Sequence, residues 1–127
     1  MARLFNLKVL EANVPGGATA RNIYSEADIA TTLGSADTWD VQINIDAIST
    51  ANTTLTFTYD NSNDGQNWQT GAWTQTVNIA TLADAPKTSF YHVELTAAFA
   101  KLALGRFGVK ADQPGAFVRL IVCGRSQ

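Results

Sequence analysis

The stretch TWDVQINIDAIS, residues 38–49, decides the fold class. Its apolar residues Trp39, Val41, Ile43, Ile45 and Ala47 alternate with Asp40, Gln42, Asn44 and Asp46, the period of two that gives a strand one dry face and one wet face. A helix would scatter the same side chains around its axis. The next run, NTTLTFTYD at 52–60, repeats the rule with Leu55, Phe57 and Tyr59 inward and Thr54, Thr56 and Thr58 outward.

Working outward, strands are expected at 4–10, 73–79, 90–95, 104–110 and 117–123, with a short one at 22–24. Turn residues separate them: Pro15-Gly16-Gly17, Gly34-Ser35, Asp84-Ala85-Pro86 and Gln113-Pro114-Gly115. Only LTAAFAKLALG, residues 95–105, has helical spacing, with Thr96 placed to cap it. The expectation is a single all-β domain over 1–127, an antiparallel β-sandwich or jelly roll of about seven to eight strands with at most one short helix. Residues 12–38 read as a long loop carrying a short edge strand, a segment of the kind that carries binding on a sandwich.

Composition narrows the function classes. The chain has 127 residues, of which 46% are hydrophobic, enough for one core without disulfide or metal staples. Its net charge is −2 and its nine Lys and Arg residues are scattered, so no basic stripe suits a nucleic-acid backbone. The start, MARLFNLKVL, is broken by Asn6 and Lys8 before a signal-peptide core forms, and no apolar run approaches the roughly 20 residues of a membrane span. Synthesis in the cytoplasm is expected. The lone Cys123 excludes an intrachain disulfide and, lying next to the apolar run 117–122, reads as a buried thiol.

The segment YDNSNDGQNW, residues 59–68, admits three readings. Asp60, Ser62 and Asp64 followed by Gly65 imitate the first half of a calcium loop, but Gly71 stands where the closing Glu belongs, and neither metal nor cofactor is expected. As a turn, Asn63 and Asp64 fit its centre, Gly65 fits the left-handed position after it, and Trp68 returns to cover one end of the core. On that reading Gly65→Val costs more stability than Asp60→Asn. As a sugar site, Tyr59, Trp68 and Trp73 offer stacking rings beside Asn61, Asn63 and Asn67, although the odd spacing of the two tryptophans sends them to opposite faces of a regular strand. Catalysis has little to work with. His92 and Glu94 share a strand face, and a His92–Cys123 pair lacks an orienting third group, so a non-enzyme is expected.

SNDGQNW at 62–68 with AFVRLIVCG at 116–124 resembles discoidin-like, galactose-binding-type β-sandwiches, which carry an S-x-D-G-x-x-W hairpin and a late aromatic-(I/V)-R-(L/I) strand. The resemblance implies that Ser62, Asp64, Gly65 and Trp68 shape the hairpin and that Arg119 lies on the late strand, while the paired terminal cysteines of secreted discoidin domains are absent. The combination of TTLGSADTWDVQINID, the same hairpin and VRLIVCGRSQ is also similar to small structural proteins of tailed-phage virions. That resemblance implies a capsid decoration or cement protein, held in the virion by contacts with shell and sister subunits. Lysine-free runs NTTLTFTYD and GAWTQTVNI point to a homo-oligomer, with a trimer favoured. The alternative is a carbohydrate-binding, lectin-like module with a glycan as partner.

Overall fold

The structure is a computed structural model and describes residues 3–25, 36–94 and 104–125. It holds eight strands: β1 (Arg3–Val14), β2 (Ile23–Tyr24), β3 (Thr38–Ala47), β4 (Thr53–Ser62), β5 (Gln69–Ile79), β6 (Lys87–Glu94), β7 (Leu104–Ala111) and β8 (Ala116–Arg125). Every strand expected from periodicity is present, and β1 runs on to Val14. The helical segment expected over 95–105 lies, as far as residue 103, outside the described residues. Single 3₁₀ turns occupy Gly17–Thr19 and Leu82–Asp84, the second closed by reciprocal Thr81 and Asp84 capping bonds.

All pairings are antiparallel and build two four-stranded sheets, the first ordered β1-β8-β3-β6 and the second β2-β7-β4-β5. Each sheet must hide its apolar face, and the two do so against one another. Trp39, Val41, Ile43 and Ile45 of β3 and Val118, Leu120 and Val122 of β8 meet Leu55, Phe57 and Tyr59 of β4 and Phe107 and Val109 of β7, all buried. Trp39, Tyr59 and Phe107 form an aromatic knot at one end of this core, with ring centroids 4.9 to 5.5 Å apart.

Two side chains depart from the expected faces, both for reasons of parity. Ala47 is exposed because the β3–β8 register slips between Ile45 and Ala47, and a one-residue slip exchanges the faces. Cys123 is not a core thiol. With Val118, Leu120 and Val122 inward, alternation turns Phe117, Arg119, Ile121 and Cys123 to the outer face, where Cys123 is half-buried.

Candidate functional site: two outer faces

The 62–68 hairpin is a web of short side-chain bonds. The Ser62 hydroxyl donates to the Asn67 carbonyl at 2.7 Å and accepts the Gly65 amide at 3.0 Å. Asp64 Oδ1 accepts the amides of Gln66 and Asn67 at 2.9 and 2.8 Å, and Oδ2 accepts the Asn67 side-chain amide at 2.9 Å. These donors, the Asn67 amide foremost, hold the Asp64 carboxyl far below the usual carboxylate range. Gly65 sits at φ +75°, the left-handed region that its place in the turn requires. Ser62, Asp64, Gly65 and Trp68 thus share one turn, with Trp68 Nε1 donating to the Gly65 carbonyl at 3.2 Å. Arg119 lies apart from them on the first sheet, bidentate to Asp46 at 2.7 and 2.9 Å.

Asp60 and Trp68 behave differently from their sequence readings. Asp60, whose replacement by Asn the turn reading made the cheaper change, is 2% exposed, accepts the Gly71 amide at 2.9 Å and receives Arg106 Nε at 3.1 Å. Trp68 does not cap the core. It stacks on the outer face of the second sheet against the Arg106 guanidinium, whose carbon lies 4.1 Å from the Trp68 ring and 3.8 Å from the Tyr24 ring.

The six residues proposed as a sugar surface do not assemble into one platform. Tyr59 and Asn61 are buried, and burial pushes the Tyr59 phenol up to about 12. Trp73 leans inward on Phe107 and across the sheets on Tyr91, at 6.1 and 6.3 Å. Opposite the step from Tyr59 to Asn61, β5 advances from Trp73 to Gln69, so a bulge with Gly71 at φ +67° separates the two tryptophans. Asn63 and Asn67 are exposed, and Trp68 and Trp73 are each half-buried, one on the outer face and the other against the core.

The outer face of the first sheet holds a groove of about 570 Å³. Register explains its lining. Asn6, Cys123, Asp40 and His92 form one cross-sheet row, and Ile121, Gln42 and Phe90 form the next. The Asp40 carboxylate is fixed at both oxygens, by His92 Nδ1 at 3.0 Å and Arg125 Nε at 2.7 Å. The bond from His92 and then that from Arg125 lower the Asp40 pKa, and the Asp40 bond in turn raises that of His92. Glu94 approaches His92 Nε2 at 3.6 Å. Beside this polar cluster the Phe90 ring stands 69% exposed. The His92–Cys123 pair does not meet, because β3 runs between β6 and β8 and puts Asp40 between them, two strand spacings or roughly 10 Å overall.

Asp40, Gln42, Phe90 and Arg125 were not singled out from sequence. Their signal is weak: they are ordinary wet positions of amphipathic strands. Only the strand order, which puts β3 between β8 and β6, brings them together.

No family model and no curated protein matches the chain. Among solved structures it is similar to the xylan-binding CBM22-1 domain of Paenibacillus barcinonensis Xyn10C, at 10% identity and a TM-score of 0.55, covering 99% of this chain and 97% of that one. It is also similar to the CBM22-1–GH10 modules of Clostridium thermocellum xylanase 10B complexed with xylohexaose, at 10% identity and a TM-score of 0.51, covering 96% of this chain and 26% of that one. A third likeness, to the structure of Cocksfoot mottle virus, has 11% identity and a TM-score of 0.42 over 97% of this chain and 95% of that one. At these identities the first two likenesses are likenesses of fold.

Proposed function

We propose that the chain is a non-catalytic saccharide-binding domain whose ligand lies in the groove on the outer face of the first sheet. The observation that carries this reading is Phe90, a large apolar ring left 69% exposed on an edge strand beside groups already locked in place. A pyranose has an apolar face that stacks on such a ring and hydroxyls that seek fixed donors and acceptors. Gln42, Asp40, His92 and Arg125 supply both, and the bonds that tie Asp40 to His92 and Arg125 reduce the ordering cost of binding. The xylan-binding name of one structural neighbour and the xylohexaose bound in another support the same reading. Calorimetry with xylohexaose and a panel of neutral hexasaccharides tests it. Binding is expected to weaken at least tenfold in Phe90→Ala, and a protein that binds no saccharide, or binds one equally well without Phe90, rejects it.

A second reading, a structural part of a virion bound to its shell and to sister copies, is favoured by one observation. Strand β5, QTGAWTQTVNI, lies at the edge of its sheet without a single charged residue. Its test is self-association, argued in the Discussion.

A further inference from the structure

We infer that the outer face of the second sheet carries a separate site for the carboxylate of a sugar acid, built on the Arg106 guanidinium where Tyr24 and Trp68 enclose it. The guanidinium carbon lies 3.8 Å from the Tyr24 ring and 4.1 Å from the Trp68 ring, and two rings that close cannot share one face of the plane. Each face is therefore covered by one ring. Nε is engaged by Asp60 Oδ2 at 3.1 Å. What remains are the two terminal amino groups, which have no acceptor among the described residues and are not sealed from solvent, although the side chain is only 20% exposed.

Three elements fix this fork, each through a separate contact. Tyr24 of β2 stands over Gly108, where an added Cβ would meet its Cε1 and Cδ1 at 2.9 and 3.0 Å, so a glycine is what lets the ring close on β7. Trp68 is turned by the hairpin, whose Gly65 carbonyl accepts its indole N–H at 3.2 Å. Asp60 of β4, directly across from Arg106, has its other oxygen on the Gly71 amide and is held from both sides. An ion pair alone would need neither ring.

The open edge selects the ligand. Two N–H groups in a fixed plane match a carboxylate, which they hold by paired charge-assisted bonds, and a guanidinium already immobilised loses little entropy on binding. Asp60 offsets part of the charge, but its oxygens face Gly71 and Nε. Asp64, on the hairpin that carries Trp68, has both oxygens on the amides of Gln66 and Asn67. Lys110, exposed on the same face of β7, adds a positive charge. The two rings flanking the fork suit the apolar face of a pyranose better than a strongly hydrated inorganic anion. That a carboxylate is taken rests on the fork; that a sugar bears it rests on the saccharide-binding reading of the domain.

The test is a titration of the isotopically labelled full chain with hexagalacturonate, its methyl ester, a xylohexaose bearing one glucuronate, and acetate, followed at the Trp68 indole N–H and the Arg106 Nε–H. At least one sugar acid is expected to shift both signals, whereas the methyl ester, which keeps the sugar and removes the charge, is expected to shift neither. Arg106→Lys keeps a cation opposite Asp60 but loses the fork, and is expected to weaken sugar-acid binding at least tenfold. Trp68→Ala leaves the ion pair in place, guards against a lysine variant that merely loosens the sheet, and is expected to weaken binding at least threefold. No shift with either sugar acid, an equal response to the methyl ester, acetate bound as tightly as the sugar acids, or full binding in both variants overturns the inference. Failure of the Phe90 groove reads out separately, as silence at the Gln42 and His92 amides with neutral hexasaccharides.

Discussion

Arg106 and Asp60 form an ion pair at 3.1 Å in which the carboxylate side chain is 3% and the arginine side chain 20% exposed. They face each other directly across β7 and β4. An isolated buried carboxylate is far costlier than a paired one, so removal of either partner leaves the other stranded. Arg106→Ala is expected to lower stability by about 3 kcal/mol, and Asp60→Asn by about 2 kcal/mol, since the Gly71 amide keeps an acceptor while the guanidinium loses its counter-charge. Urea unfolding with unchanged slope measures both. Values within about 0.5 kcal/mol of wild type would mean that the pair is solvated.

Gly65 supplies a milder comparison than the Gly65→Val that the sequence reading set above Asp60→Asn. At φ +75° a side chain costs about 1–2 kcal/mol in backbone strain, and the nearest atom to an added Cβ is the end of the flexible Leu104 side chain at 3.1 Å. Gly65→Ala is therefore expected to cost about 1 kcal/mol, less than Asp60→Asn. Should the alanine variant prove the worse of the two under identical denaturant conditions, the buried role given to Asp60 fails.

The fold was legible because its evidence is local. Period two in 38–49 and 52–60 records which face of each strand is dry, and turn residues mark where each strand stops. The left-handed Gly65 and the Ser62, Asp64 and Trp68 turn were legible for the same reason, since all their bonds close within six residues. The groove and the Arg106 cluster were not. Asp40 meets His92 at a separation of 52 residues and Arg125 at 85, and Arg106 meets Asp60 at 46. Sequence spacing cannot pair such residues without the sheet order. Cys123 shows a subtler limit: an apolar run on a strand names both faces at once, and only the packed partner reveals which one is inside.

His92 gives the pH prediction. Its bond to Asp40, with help from Glu94, raises its pKa above the ordinary 6.5, with desolvation opposing and the Arg125 guanidinium as the other cation on the same carboxylate. A raised histidine pKa contributes stability that is full below the unfolded value of about 6.5 and is lost as pH rises through the folded midpoint. Asp40 acts at the other end, because its lowered pKa contributes stability above about 3.9 that is lost as pH falls further. An NMR titration of the His92 ring is expected to show a midpoint above 6.5 that falls in Asp40→Asn. A midpoint indifferent to Asp40 would contradict the geometry of the groove.

The last expectation concerns self-association through β5. The strand is eleven residues long, pairs only with β4 among the described residues, and exposes Thr74, Thr76 and Asn78. Unpaired strand edges in monomers are usually blunted by lysine, proline or other charge, and QTGAWTQTVNI contains none. Its outward threonines and amides are cheaper to desolvate than charges and can bond a partner strand. The geometry of closure then sets the copy number. Edge meeting like edge across a two-fold axis yields a dimer, whereas β5 meeting the β6 edge of another copy is a heterologous contact that gives a ring, such as the trimer favoured from sequence, where its rotation closes and an open filament where it does not. Sedimentation velocity over a wide concentration range is expected to show a reversible oligomer, whose mass distinguishes these closures. Thr76→Lys, a change at an exposed position, is expected to weaken it at least tenfold while leaving the unfolding midpoint unchanged. A chain that stays monomeric throughout, or an oligomer that ignores the lysine, would remove β5 from any account of assembly and with it the observation that favours the virion reading.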